Sequence, residues 1–140
     1  MNNRMTKMVD AVGTTIYTYT DFGALQSEDG PWNADTVSYT HTTNQLRSGL
    51  SLLQPNASPW AQSYGYDDSD RLTGITSPAG AFAYQYHSTS RLHVARLGLP
   101  SGSYITNTFD GLSRLTGTYL KNSQGGLLNA HQYLYDPANR

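Results

Sequence analysis

Two stretches decide the fold: Tyr64-Gly65-Tyr66-Asp67-Asp68-Ser69-Asp70-Arg71-Leu72-Thr73-Gly74 and Asn107-Thr108-Phe109-Asp110-Gly111-Leu112-Ser113-Arg114-Leu115-Thr116-Gly117. They carry an aromatic, Asp, Arg, Leu, Thr and Gly at one spacing, the mark of an internal repeat. Working outward, Tyr84-Gln85-Tyr86-His87 with Arg91-Leu92 is a third copy with His for Asp, and Tyr133-Leu134-Tyr135-Asp136 with Arg140 is a fourth. Residues 17–25 form a weaker copy, with Thr20 for Asp and Ala24 for Arg. The weakest is Tyr39-Thr40-His41 with Leu46, and Asn3-Arg4-Met5-Thr6 matches the tail of another. Taking the Arg position as marker predicts units at 4–24, 24–45, 45–71, 71–91, 91–114 and 114–140, with 26–63 degenerate.

One unit has a physical reading. Tyr84 and Tyr86, like Tyr133 and Tyr135, fall two residues apart, which sets both rings on one face of a strand. The small polar residues from Asp67 to Asp70 make a turn in which the Asp side chain can accept N–H groups two residues on. Arg71 to Ile75 then reads as a return strand. Asp10-Ala11-Val12-Gly13 and Ser77-Pro78-Ala79-Gly80 fit type I turns leading into the next aromatic strand. A lone hairpin buries too little to stand, whereas stacked hairpins build one continuous sheet. The expected fold is therefore all-β, an array of antiparallel hairpins.

Composition agrees. Thr (16) and Ser (14) are abundant while Lys (2) and Glu (1) nearly vanish, which favours strands and turns over helices. Leu, Ile, Val and Phe number only 25 of 140, yet 11 Tyr and a net charge of −1 separate the chain from disordered sequences. No cluster of positive charge exists to meet phosphates, so nucleic acid is not an expected partner. The absence of cysteine removes disulfides and thiolate metal sites. No apolar run reaches the ~18 residues of a membrane span. The N-terminal Met-Asn-Asn-Arg-Met-Thr-Lys-Met has no apolar segment behind its charges and is not a secretory signal peptide.

The pattern aromatic-x-Tyr-Asp-x-x-x-Arg-Leu-Thr resembles the YD repeat of the Rhs family. That family includes bacterial Rhs polymorphic toxins, shell components of insecticidal Tc toxins, wall-associated repeat proteins and animal teneurins. The resemblance spans residues 2–140. It is specific at Tyr66-Asp67 with Arg71-Leu72, Phe109-Asp110 with Arg114-Leu115, and Tyr135-Asp136 with Arg140. It implies a continuous curved sheet, part of a shell or barrel-like spiral, in a secreted or cell-envelope protein of bacterial type. It also implies a structural, non-catalytic role, with enzymatic activity confined to an enclosed effector or a downstream self-cleaving segment. A shell needs many more units than these, so the chain reads as a piece of a longer array. The expected partners are further repeats of the parent chain or a second copy at open sheet edges, an enclosed effector domain, and glycans.

Chemical motifs are sparse. His41, His87, His93 and His131 lack metal-ligand spacing. No Gly-x-Ser-x-Gly elbow or phosphate loop occurs, and Asp67-Asp68-Ser69-Asp70 lacks the Gly and Glu of a calcium loop. No catalytic, cofactor or metal site is expected. The residues that carry the structure are Tyr66, Asp67, Arg71, Leu72, Tyr84, Tyr86, Arg91, Leu92, Phe109, Asp110, Arg114, Leu115, Tyr135, Asp136 and Arg140. Tyrosines of successive units are expected to form ladders, each aromatic pair adding ~0.2–1 kcal/mol, with Arg71, Arg91 and Arg114 stacked on rings or paired with turn Asp. The alternative reading is a carbohydrate-binding or adhesin-type module stacking sugars on Trp32 and Trp60. Each tryptophan adjoins a proline, Pro31 or Pro59, and the degenerate segment 26–63 around them is expected to be a long loop or cap.

Overall fold

A computed structural model describes residues 3–90 and 92–136. It contains β1 (Lys7–Val9), β2 (Thr14–Tyr19), β3 (Leu25–Asp29), β4 (Val37–His41), β5 (Arg47–Leu52), β6 (Trp60–Tyr66), β7 (Leu72–Ser77), β8 (Gly80–Tyr86), β9 (Val94–Gly98), β10 (Tyr104–Phe109), β11 (Leu115–Lys121) and β12 (Leu127–Gln132). The strand order is the chain order, in antiparallel pairing, and no helix occurs among the described residues. Two compact units are distinguished: Met1–Arg71 with Thr76–Pro78, and Leu72–Ile75 with Ala79–Arg140.

In the first unit, β2 pairs with β3 from Ile16↔Asp29 to Tyr19↔Leu25, and β4 pairs with β5 from Val37↔Leu52 to His41↔Arg47. Burial alternates with period two: Tyr17 and Tyr19, Tyr39 and His41, Tyr64 and Tyr66 are half-buried, while Thr18, Ser38, Thr40, Ser63 and Gly65 are exposed. This is the alternation of a sheet with one aromatic and one small polar face. In the second unit β8 pairs with β9, β9 with β10, β10 with β11, and β11 with β12. Phe82, Tyr84 and Tyr86 repeat the alternation.

The segment 26–63 is not a loop or cap. It supplies most of β3, all of β4 and β5, and the start of β6. The Asp35 carboxylate gives the physical reason at the turn around Trp32, accepting the N–H groups of Gly30 (3.1 Å) and Trp32 (3.0 Å). The turn between β3 and β4 therefore closes without the repeat motif.

No described hydrophobic side chain is fully buried. The sheet is held by its backbone ladder, by half-buried rings and by its turns. Two of those turns share a packing device. A Cβ on Gly13 would collide with the Pro31 ring, and one on Gly80 (φ +112°) with the Pro100 ring. Glycine lets each turn press against the proline of the next turn along the same edge.

Candidate functional site: the turn lock

The repeat motif folds into one turn geometry. In Asp67–Arg71, the Asp67 N–H donates to the Arg71 carbonyl (3.0 Å) and the Asp70 N–H to the Asp67 carbonyl (2.9 Å). Turns 20–24, 42–46, 110–114 and 122–126 repeat both bonds at 2.8–3.0 Å. The fourth residue takes positive φ each time: Gly23, Gln45, Asp70, Ser113 and Gly125. A turn followed by a left-handed residue creates a bulge, and the register shifts at Thr18/Tyr19, Thr40/His41, Thr108/Phe109 and Leu120/Lys121 record it.

The first residue of the turn supplies the side-chain oxygen. Asp67 Oδ1 accepts from the N–H groups of Ser69 (2.9 Å) and Arg71 (3.0 Å), and Asp67 Oδ2 accepts from Arg71 Nε at 2.7 Å. Asp110 does the same with Leu112 and Arg114 (2.9 Å each) and with Arg114 Nε at 2.7 Å. One carboxylate oxygen thus fixes the backbone and the other holds the guanidinium. Both carboxyls lie below the ordinary carboxylate range. For Asp67 the side-chain bond from Arg71 is the largest cause, and for Asp110 the backbone N–H of Arg114. Thr20, Thr42 and Asn122 replace Asp with a neutral oxygen that still accepts the fifth N–H, at 3.1, 3.1 and 2.7 Å. Their fifth residues are Ala24, Leu46 and Gly126, so among these five turns a carboxylate stands in the two that carry Arg. His87 substitutes for Asp through Nδ1, which bonds the Thr89 hydroxyl at 2.8 Å.

Four tyrosines at the motif's aromatic position each tie their strand to the hairpin before it. The hydroxyl of Tyr19 donates to the Met5 carbonyl (2.7 Å), Tyr66 to Arg47 (2.8 Å), Tyr86 to Leu72 (2.9 Å) and Tyr135 to Leu115 (2.7 Å). Arg47, Leu72 and Leu115 each directly follow the fifth residue of the preceding turn, and Met5 follows Arg4. The bond crosses the end where no loop joins the neighbouring strands. An arginine adds to it: Arg114 of the preceding turn lies 4.6 Å from the Tyr135 ring centroid, and Arg4 lies 5.3 Å from that of Tyr19. Arg114 therefore both pairs with its turn Asp and stacks on a ring.

Phe109 has no hydroxyl. Its ring stacks on His93 with centroids 4.4 Å apart, and Asn107 Nδ2 donates to the Val94 carbonyl at 3.0 Å. Leu115 sits opposite Phe109 across the bulge and Leu25 opposite Tyr19. Leu72 opens β7, Leu92 is 85% exposed, and Asp136 follows Tyr135. Arg91 and Arg140 lie outside the described residues.

The register does not build the expected tyrosine-on-tyrosine ladder. Aromatic strands of successive hairpins are two strands apart, about 9.5 Å. Tyr17 faces Glu28, Tyr39 faces Leu50 and Tyr84 faces Leu97. Contacts missed by motif reading fill the intervals: Arg47 lies 4.5 Å from the Tyr39 ring and Arg96 lies 3.8 Å from the Tyr104 ring. The Tyr39 hydroxyl donates to Glu28, and burial first, then that bond, raises its pKa. Trp32 is 65% exposed and Trp60 half-buried, at the same edge of the first unit. Among the described residues no three His, Asp or Glu side chains gather as a metal site.

The RHS Repeat family model matches residues 66–104. The crystal structure of TcdB2-TccC3-TEV is similar to 96% of this chain with a TM-score of 0.76 and 16% identity. This chain corresponds to only 8% of that one. No curated protein matches the chain. With the motif resolved as one recurring turn, the chain carries a match to the RHS Repeat family model at residues 66–104 within a fold shared with TcdB2-TccC3-TEV.

Proposed function

We infer that this segment is wall material. It contributes hairpins to a shell that encloses a toxin or effector domain, or to an extracellular scaffold, in a secreted or cell-envelope protein, and it performs no catalysis. The observation that carries the reading is the recurrence of one lock. Tyr, Asp and Arg are committed to turn carbonyls, turn N–H groups and neighbouring rings, so the motif's chemistry goes into joining hairpins. The likeness to a small part of the much longer TcdB2-TccC3-TEV chain supports a place inside a larger array. Electron microscopy of the intact parent protein tests it. A hollow particle with residues 3–136 in its wall is expected; a solid globular particle, or one with these residues on a detached lobe, overturns the reading.

A second reading, sugar binding, is favoured by the 65% exposure of the Trp32 ring, since an exposed aromatic face stacks on a pyranose. Glycan-array binding that is lost in Trp32→Ala or Trp60→Ala, with the fold retained, would establish it over the purely structural role.

A further inference from the structure

In the first unit, successive hairpins are tied together at two seams and left untied at a third. Between β1 and β2, the Tyr19 hydroxyl donates to the Met5 carbonyl at 2.7 Å. The Arg4 guanidinium lies so close to Gly23 that a Cβ there would collide with it. Between β5 and β6, the Tyr66 hydroxyl donates to the Arg47 carbonyl at 2.8 Å, and Asn44 Nδ2 donates to Asp70 Oδ1 at 2.9 Å, turn to turn. Asn44 thus stands in for the arginine that turn 42–46 lacks.

Between β3 and β4 both ties are missing. Ala24 ends turn 20–24 with no group to send to the next turn, and His41 stands at the position of Tyr19 and Tyr66. Turns 20–24 and 42–46 keep their bonds within themselves. A groove of about 590 Å³ runs between them, with Phe22, Ala24 and Gln26 on one bank and Tyr39, Thr42 and Gln45 on the other. Registered pairing is correspondingly short. Two pairs, Ser27↔Ser38 and Glu28↔Val37, join β3 to β4, against four between β5 and β6. Bonds gather instead toward the connecting turn. The Tyr39 hydroxyl donates to Glu28, the Thr36 hydroxyl to Asp29 Oδ1 at 2.5 Å, and the Asp35 carboxylate closes the turn around Trp32.

His41 adds a local penalty. Its Nδ1 is shielded from solvent and has no hydrogen-bond partner among the described residues. A shielded polar atom without a partner is destabilising until water or a partner reaches it.

We propose that the turn end of the β3–β4 seam is a built-in opening point. There the first unit parts between β3 and β4, while the turn around Trp32 stays closed as the hinge. Opening hydrates His41 Nδ1 and breaks only the short ladder beside Ser27↔Ser38, with no tyrosine or arginine tie to undo.

Native-state hydrogen exchange of the full chain tests this. Amides bonded across the Ser27↔Ser38 end of β3–β4 should exchange at least about tenfold faster than those bonded across the Gly49↔Ser63 end of β5–β6. His41→Tyr supplies a hydroxyl for the Leu25 carbonyl, and Ala24→Arg supplies the guanidinium. Each should slow exchange at β3–β4 about fivefold and leave β5–β6 unchanged. Local slowing in either variant supports the proposal. Equal wild-type exchange at the two ends, slowing shared equally by both seams, or unchanged exchange in both variants overturns it.

Discussion

At the residue scale the decisive group is the turn carboxylate. Its two oxygens have different tasks, which Asn, Thr and Glu cannot reproduce together. Asn and Thr keep the backbone bonds but lose the charge for Arg, and Glu is one carbon too long for the turn. Melting temperatures should therefore fall in the order wild type, Asp110→Asn, Asp110→Ala. The pH dependence follows in sign. Asp67 and Asp110 are held below the usual carboxylate range when folded, so their stabilisation is full above the ordinary value. It is lost as pH falls through the depressed one, below about pH 4. Thermal melts should show that acid-side loss, and a smaller one in Asp110→Asn. The Asp turn and its Arg were legible in the sequence because both partners are side chains four positions apart. The tyrosine hydroxyl was not, because its acceptor is a main-chain carbonyl, and carbonyls carry no mark in the sequence.

At the element scale, hairpins were legible wherever the motif was intact, and illegible between β3 and β6. There the turns around Trp32 and between β5 and β6 differ in length from the motif turn. Asp35 closes the first by accepting N–H groups from residues before it, a reversal of the direction used by Asp67 and Asp110. Strand pairing then carries a segment whose own pattern is weak, as tertiary context does for β-structure generally. The left-handed slot in each turn offers a test. Ser113 occupies it with φ 64° where Gly23 and Gly125 fill the same place. Ser113→Gly should raise stability by up to about 1 kcal/mol. Gly80→Ala, facing both its φ of +112° and the Pro100 ring, should cost more than about 1 kcal/mol. Denaturant melts compare the two.

At the scale of the whole molecule, the absence of a fully buried hydrophobic side chain among the described residues sets this chain apart from a globular domain. Stability in such an array comes from each hairpin and its neighbours. Among the described residues β12 pairs with β11 alone and is exposed at every position, with Leu127 60% and Leu128 58% accessible. An unprotected apolar edge recruits another strand. Sedimentation should show concentration-dependent association of the chain, reduced by Leu128→Lys.

The central claim is that tyrosine hydroxyls pin successive hairpins together at the end where no loop joins them. Strands β5 and β6 test it most directly, because their pairing runs from Leu52↔Trp60, beside the connecting loop, to Gly49↔Ser63, near the Tyr66 bond to Arg47. Native-state hydrogen exchange of Tyr66→Phe is the measurement. Loss of one hydrogen bond of about 1 kcal/mol should speed exchange roughly fivefold at the Gly49 and Ser63 end and leave the Leu52 and Trp60 end unchanged. Uniform protection along both strands, equal to that of the wild type, would contradict the account.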